Sequence, residues 1–228
     1  PEMTIFLTLF ARNGLHKEKE KGNYSFVLPT TPIGNAKRLR EVWTLTQKVL
    51  KKEKVISIPE LYELWDRPPF GIKNGIKPIL LVYFFIVNKE CLSFYEDDVY
   101  IPTVGSEVLD LLLGAPKHIK LRYHEATEGN KELVGKLFNV LKREDSVLAG
   151  EDPLSVARSL VKIILSLPKW VQTTSRASSL ANSLRSAVLK AHDPMVLLFT
   201  DLPKIFGTEE PDAVAKSLEN TIEELRGL

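Results

Sequence analysis

Ile79-Leu80-Leu81-Val82-Tyr83-Phe84-Phe85-Ile86-Val87 is the most apolar stretch of the chain, and what it forms decides the fold. It is far short of the roughly 18 apolar residues that cross a bilayer, so it belongs to a core. Asn74-Gly75 opens the segment, and Pro78 fits the first turn of a helix, where N–H groups have no internal partner. The stretch is therefore read as a helix; a buried strand gives the same pattern, and periodicity alone does not separate the two.

Downstream, Leu92-Ser93-Phe94-Tyr95 and Val99-Tyr100-Ile101-Pro102 are aromatic and β-branched pieces flanking the acidic turn Glu96-Asp97-Asp98, which predicts a hairpin. A helix over 106–113 ends at Gly114, and Ile119-Lys120-Leu121-Arg122-Tyr123 alternates as a strand does. Upstream, Leu39, Val42, Trp43, Thr46, Val49 and Leu50 recur at three- and four-residue spacing, the apolar face of an amphipathic helix that Asn35 is placed to cap. Ser57 and Pro59 open a short second helix, with Leu61, Leu64 and Trp65 as its inner side and Pro68-Pro69 as its stop. Helix, helix, helix, hairpin is the order of a winged helix-turn-helix, which gives a winged-helix-like domain over 35–125. Before it, 1–34 reads as a short helix from Met3 to Ala11 followed by an exposed charged loop from His16 to Gly22.

Beyond Asn130 the strand signals stop. Leu133, Leu137, Val140 and Leu141, then Leu154, Ala157, Leu160, Val161, Ile164 and Leu165, are helically spaced. Pro168 stops a helix, Ser175 is placed to cap another, Asp193-Pro194 pairs a capping carboxylate with proline at the first helical position, and 209–225 forms the last helix. The reading for 126–228 is a helical bundle, and for the whole chain a mainly α protein.

Composition narrows the function classes. Apolar residues make up 44% and charged residues 26% of 228, an ordinary globular balance. The net charge of +2 supplies no global field for nucleic acid or membrane, so any basic site is local. The single cysteine, Cys91, allows neither an internal disulfide nor a cysteine-rich zinc site, which fits a reducing cytoplasm. No membrane association is expected. The chain opens Pro-Glu-Met-Thr, and the expectation is that it is a piece of a longer chain.

Chemistry is hard to find. There is no phosphate-binding glycine loop, dinucleotide fingerprint, His-Glu-x-x-His or Gly-x-Ser-x-Gly, so no catalytic residue, cofactor site or metal site is assigned. His16, His118, His124 and His192 are scattered and are read as strand or loop surface. Cys91 beside His118 or His124 would suit a nucleophile and base, but a buried structural cysteine is the simpler reading. Glu96-Asp97-Asp98 is read as a solvated turn.

Lys37, Arg38, Arg40, Lys48, Lys51 and Lys52 make the first long helix basic, as phosphate neutralisation requires, although solvated helix faces look the same. Against readout of bases, the third helix after Lys73 and Lys77 is almost wholly apolar, whereas base contacts need Arg, Lys, Asn or Gln. The small-residue run from Arg176 to Ala187 suits tight internal packing, or docking of another chain.

Two stretches carry a resemblance: Pro68-Pro69-Phe70-Gly71-Ile72-Lys73-Asn74-Gly75-Ile76-Lys77-Pro78-Ile79-Leu80-Leu81 with the hairpin that follows, and Asp193-Pro194-Met195-Val196-Leu197-Leu198-Phe199-Thr200-Asp201-Leu202-Pro203. Together they resemble the C-terminal region of large prokaryotic P-loop ATP-binding proteins of anti-phage defence loci, from about Asn35 onward. This chain lacks the phosphate-binding loop, so ATP binding is carried to no residue. The resemblance implies a winged-helix-like module and bundle behind an ATPase, sensing a partner or relaying a nucleotide state. The functional expectation is a non-enzymatic regulatory or protein-interaction module, whose partner is another protein or the remainder of a longer chain. The alternative is a DNA-binding winged helix using its basic first helix.

Overall fold

In a computed structural model, residues 2–29, 36–125, 131–146, 148 and 150–228 are described, without the side chains of residues 2, 19, 20, 36 and 37. The protein is mainly helical, with 63% helix against 11% strand among the described residues and small antiparallel sheets. In chain order the first elements are α1 (Glu2–Phe6), a π-helical turn (Leu7–Ala11), β1 (His16–Glu20), β2 (Asn23–Phe26), α2 (Ala36–Glu53), β3 (Val55–Ser57), α3 (Ile58–Asp66) and α4 (Lys77–Val87). Next come β4 (Leu92–Glu96), β5 (Val99–Ile101), α5 (Ser106–Gly114), a 3-10 turn (Pro116–His118) and β6 (Ile119–Tyr123). The remainder is helical: α6 (Lys131–Glu144), α7 (Pro153–Ser166), α8 (Lys169–Thr173), α9 (Ser179–Leu189), α10 (Pro194–Val196), a second π-helical turn (Leu197–Asp201), α11 (Leu202–Phe206) and α12 (Pro211–Gly227).

These elements form two compact units, Pro1–Leu92 with Ser106–Tyr123, and Ser93–Gly105 with His124–Leu228. In the first unit α2 buries Val42, Trp43, Thr46 and Leu50, the stripe its spacing predicts. Lys54 ends α2 in the left-handed conformation, φ 63°, and its carbonyl accepts the N–H of Tyr123 at 2.7 Å. β3 then pairs antiparallel with β6, Ile56 opposite Leu121. That short strand was not read from the sequence, since three residues are too few to show a period. Ser57 closes a capping box with Glu60 at the start of α3, each side chain taking the other residue's N–H. Those bonds hold the Glu60 carboxyl below its ordinary range. Inside, the Trp65 indole N–H donates to Thr46 Oγ1 at 2.9 Å, both residues being buried.

The segment expected as a charged loop is instead the hairpin of β1 and β2, with His16 opposite Phe26. Aromatic packing orders it: His16 lies 4.9 Å from Phe26, 5.0 Å from Phe6 and stacked at 5.7 Å on Tyr24, while Lys17 and Glu18 are exposed. Phe10 and Phe26 lie 5.2 and 5.6 Å from the Tyr83 ring of α4, and the Tyr83 hydroxyl donates to the carbonyl of Val27 at 2.6 Å. The apolar stretch at 79–87 is a helix, burying Leu80, Leu81, Tyr83, Phe84 and Phe85.

In the second unit β4 and β5 form the expected hairpin, Glu96 opposite Val99, with Asp97 and Asp98 at φ 46° and 68°. Both central residues of a two-residue loop need positive φ if its twist is to match that of the strands. The helices surround one core, in which Leu137, Leu141, Leu160, Ile164, Leu184, Leu218 and Leu225 are fully enclosed. Lys136 with Asp212, and Arg143 with Glu219, tie α6 to α12. The same seven-residue step on both helices means that they run parallel. Asp193 caps α10 as expected, accepting from the N–H groups of Met195 and Val196. The cap of α9 is Ser178 and not Ser175, because Glu224 of α12 accepts both the N–H and the hydroxyl of Ser178 and fixes the entry there. Asn35 lies outside the described residues.

Candidate functional site

Two surfaces of the first unit compete for a functional role, one basic and one apolar. On α2, Arg38, Arg40, Lys48, Lys51 and Lys52 are all exposed; the Lys37 side chain lies outside the description. The lysines gather in the last turns, where cations also complement the helix dipole. Lys52 is drawn to Glu53 at 2.9 Å, which raises its pKa, and Glu41 interrupts the face upstream. The result is an exposed strip of mixed sign. Lys77, at the start of the expected recognition helix, is 2% exposed. Its ammonium contacts Asp66 at 2.6 Å and Asn74 at 2.7 Å and lies 5.7 Å from the centre of the Tyr62 ring. A cation so enclosed fixes the turn between α3 and α4 and offers nothing to a phosphate.

The apolar surface is a groove of about 360 Å³. Its floor is α4, through Pro78, Ile79, Val82, Tyr83 and Ile86; Phe10 and Phe26 close one side, and Leu109 and Leu113 of α5 the other. No charged side chain lines it. Leu113 is 68% exposed, Ile86 41% and Leu109 39%, unusual values for large aliphatic residues beside one another. The only polar group in the lining, the Tyr83 hydroxyl, is committed to Val27, and burial pushes its pKa up, so it stays a donor.

Sequence reasoning found the apolar character of α4 but not the groove, whose walls come from three segments far apart in the chain. A signal was present in α5: Val108 and Leu112 suffice for its inner face, so Leu109 and Leu113 are surplus apolar residues four apart.

The second unit has a wider, more polar cleft of about 730 Å³ between α9 and α11, lined by Ser183, Ser186, Lys190, Asp201 and Lys204 among others. The small-residue run of α9 therefore divides its faces: Ala181 and Leu184 pack inward, and Ser183 and Ser186 face the cleft.

The histidines need one correction. His124, expected at the surface, is buried, and its Nε2 shares a 2.6 Å hydrogen bond with Ser93 Oγ. Serine beside histidine is the start of a nucleophile–base pair, but Ser93 has no exposed surface, so a substrate carbonyl cannot reach it. Cys91 is half-buried rather than buried, and its thiol donates to the Asn88 carbonyl at 3.4 Å. Among the described residues no three His, Cys, Asp or Glu side chains lie where they could hold a metal ion. No helix among them is long and apolar enough to cross a membrane.

The chain matches no family model, no curated protein and no solved structure.

Proposed function

We propose that this chain is a non-enzymatic regulatory or protein-interaction module, a winged-helix-like domain followed by a helical bundle, belonging to a larger prokaryotic defence-related protein. The groove on α4 carries this reading. In a winged helix that reads DNA the third helix displays polar side chains to base edges. Here α4 presents Ile79, Val82 and Ile86 instead, with its one cation buried. Exposed and contiguous apolar surface is what protein partners cover. The defence-locus assignment rests on the resemblance of residues 68–104 and 193–203 alone.

A second reading, DNA binding through α2, draws support from the exposed Lys48, Lys51 and Lys52. One experiment separates the two: a photo-crosslinking amino acid placed at Leu113 or at Lys51 of the chain in living cells. The interaction reading expects nuclease-resistant protein adducts from position 113 and none from position 51. Nuclease-sensitive adducts from position 51, with none from 113, would overturn it.

A further inference from the structure

We propose that the groove receives one face of an amphipathic helix from a protein partner, with apolar anchors at three- and four-residue spacing and a basic flank lying along α5. The proposal rests on the interaction reading and names the occupant.

The shape and chemistry of the lining select a helix over an extended peptide. An added strand leaves N–H and C=O groups that need partners, and this lining offers none: every wall residue is apolar except Tyr83, whose hydroxyl is already bonded to Val27 at 2.6 Å. A helix satisfies its own backbone. The walls also have helical pitch. Ile79, Val82 and Ile86 are three and four residues apart on α4, and Leu109 and Leu113 are four apart on α5, so two side-chain ridges bound a furrow that a third ridge can fill.

Charge selects the flank. Asp110 precedes Leu113 by three residues and is its neighbour on the surface of α5, and Glu107 precedes Asp110 by three. Both are exposed, and neither has an ion pair or side-chain hydrogen bond among the described residues. Glu107 stands in the first turn, where the helix dipole favours an acid; Asp110 lies beyond it, and the dipole does not account for that carboxylate. α4 adds no exposed charge, since 78–87 is wholly apolar and Lys77 is buried. The groove is thus acidic along one rim and neutral along its floor. A second copy of the chain meeting this face across a two-fold axis close to α5 would set the two acidic rims against each other, like against like.

The test uses the full chain and three fluorescent peptides of about 18 residues, long enough to hold a helix. One has Leu at three- and four-residue spacing with Lys flanks, one carries Glu in place of Lys, and one is the Lys peptide broken by two central prolines. Anisotropy should show the Lys peptide binding, the Glu peptide at least about threefold weaker, as one or two exposed charge pairs provide, and the broken peptide not at all. Leu113→Glu should abolish binding without moving the thermal midpoint, because the residue packs little. Glu107→Lys with Asp110→Lys should reverse the preference between the Lys and Glu peptides. Equal affinity for those two, or binding that survives Leu113→Glu, overturns the proposal. So does a Leu113-dependent dimer in sedimentation. Leu113-dependent binding of the broken peptide overturns the helix but leaves the interaction reading intact. Failure of all three peptides overturns the occupant, while the crosslink at Leu113 still decides the interaction reading by itself.

Discussion

Removing the anion of the Lys77–Asp66 pair should cost far more than removing the cation. Lys77 is 2% exposed, and its ammonium sits 2.6 Å from Asp66, whose side chain is 54% exposed. At an effective dielectric constant of roughly 20, that separation gives a gross attraction of about 6 kcal/mol, most of it offset by the desolvation of the lysine. Asp66→Ala leaves a buried cation with the Asn74 oxygen and the Tyr62 ring as its named partners. Breaking a fully buried pair costs about 3–5 kcal/mol; half-exposure of Asp66 reduces that to about 2–3 kcal/mol. Lys77→Met removes the charge together with its desolvation cost and keeps the packing of the stem. Asp66 turns to water, so the change should stay within about 1 kcal/mol. In the Lys77→Met background Asp66→Ala should then be nearly silent, the signature of one coupled pair.

Urea unfolding followed by tryptophan fluorescence reads this directly, because Trp43 and Trp65 are both buried in the unit that holds the pair. Midpoints should shift at unchanged slope. A Lys77→Met variant that loses as much as Asp66→Ala, or more, would refute the reasoning. It would mean that the bonds made by the ammonium, and not the relief of its charge, hold the turn into α4.

Thr46→Val keeps shape and volume but orphans the buried Trp65 N–H, and should cost about 1–3 kcal/mol; Thr46→Ser keeps the acceptor and should cost less, as urea midpoints will report. Ser57→Ala opens the capping box of α3 and should cost about 1 kcal/mol. Because the Glu60 carboxyl is held below its ordinary range by Ser57, its contribution is present above the unfolded value and is lost as pH falls through the folded one; in Glu60→Gln that acid-side loss should disappear from pH-dependent melting curves. Lys48→Glu, Lys51→Glu and Lys52→Glu together should leave anisotropy with a labelled DNA duplex unchanged at physiological salt; tight, steeply salt-dependent binding lost in that variant would put α2 on DNA.

The elements that were legible are those whose signal is local. The helix start at Ser57 and Pro59, the Asp193-Pro194 start, the α2 stripe through Val42, Thr46 and Leu50, and the hairpin around Asp97 and Asp98 each lie within one stretch of chain, and each stands in the structure as the residues dictate. What escaped depends on partners distant in sequence. The charges of β1 read as solvated loop because the aromatic rings that order it come from α1 and β2. His124 read as surface because Ser93, its partner, lies on β4, far back in the chain. The same distinction governs the site. An apolar α4 is visible in sequence, but whether its outer side is covered is a property of tertiary packing, and the answer here is that Ile79, Val82 and Ile86 are left beside Leu109 and Leu113 with no covering segment among the described residues. Burial of the nearest cation and exposure of the aliphatic residues act together: each weakens a phosphate-binding role for α4 and strengthens one in which another protein's side chains complete the core.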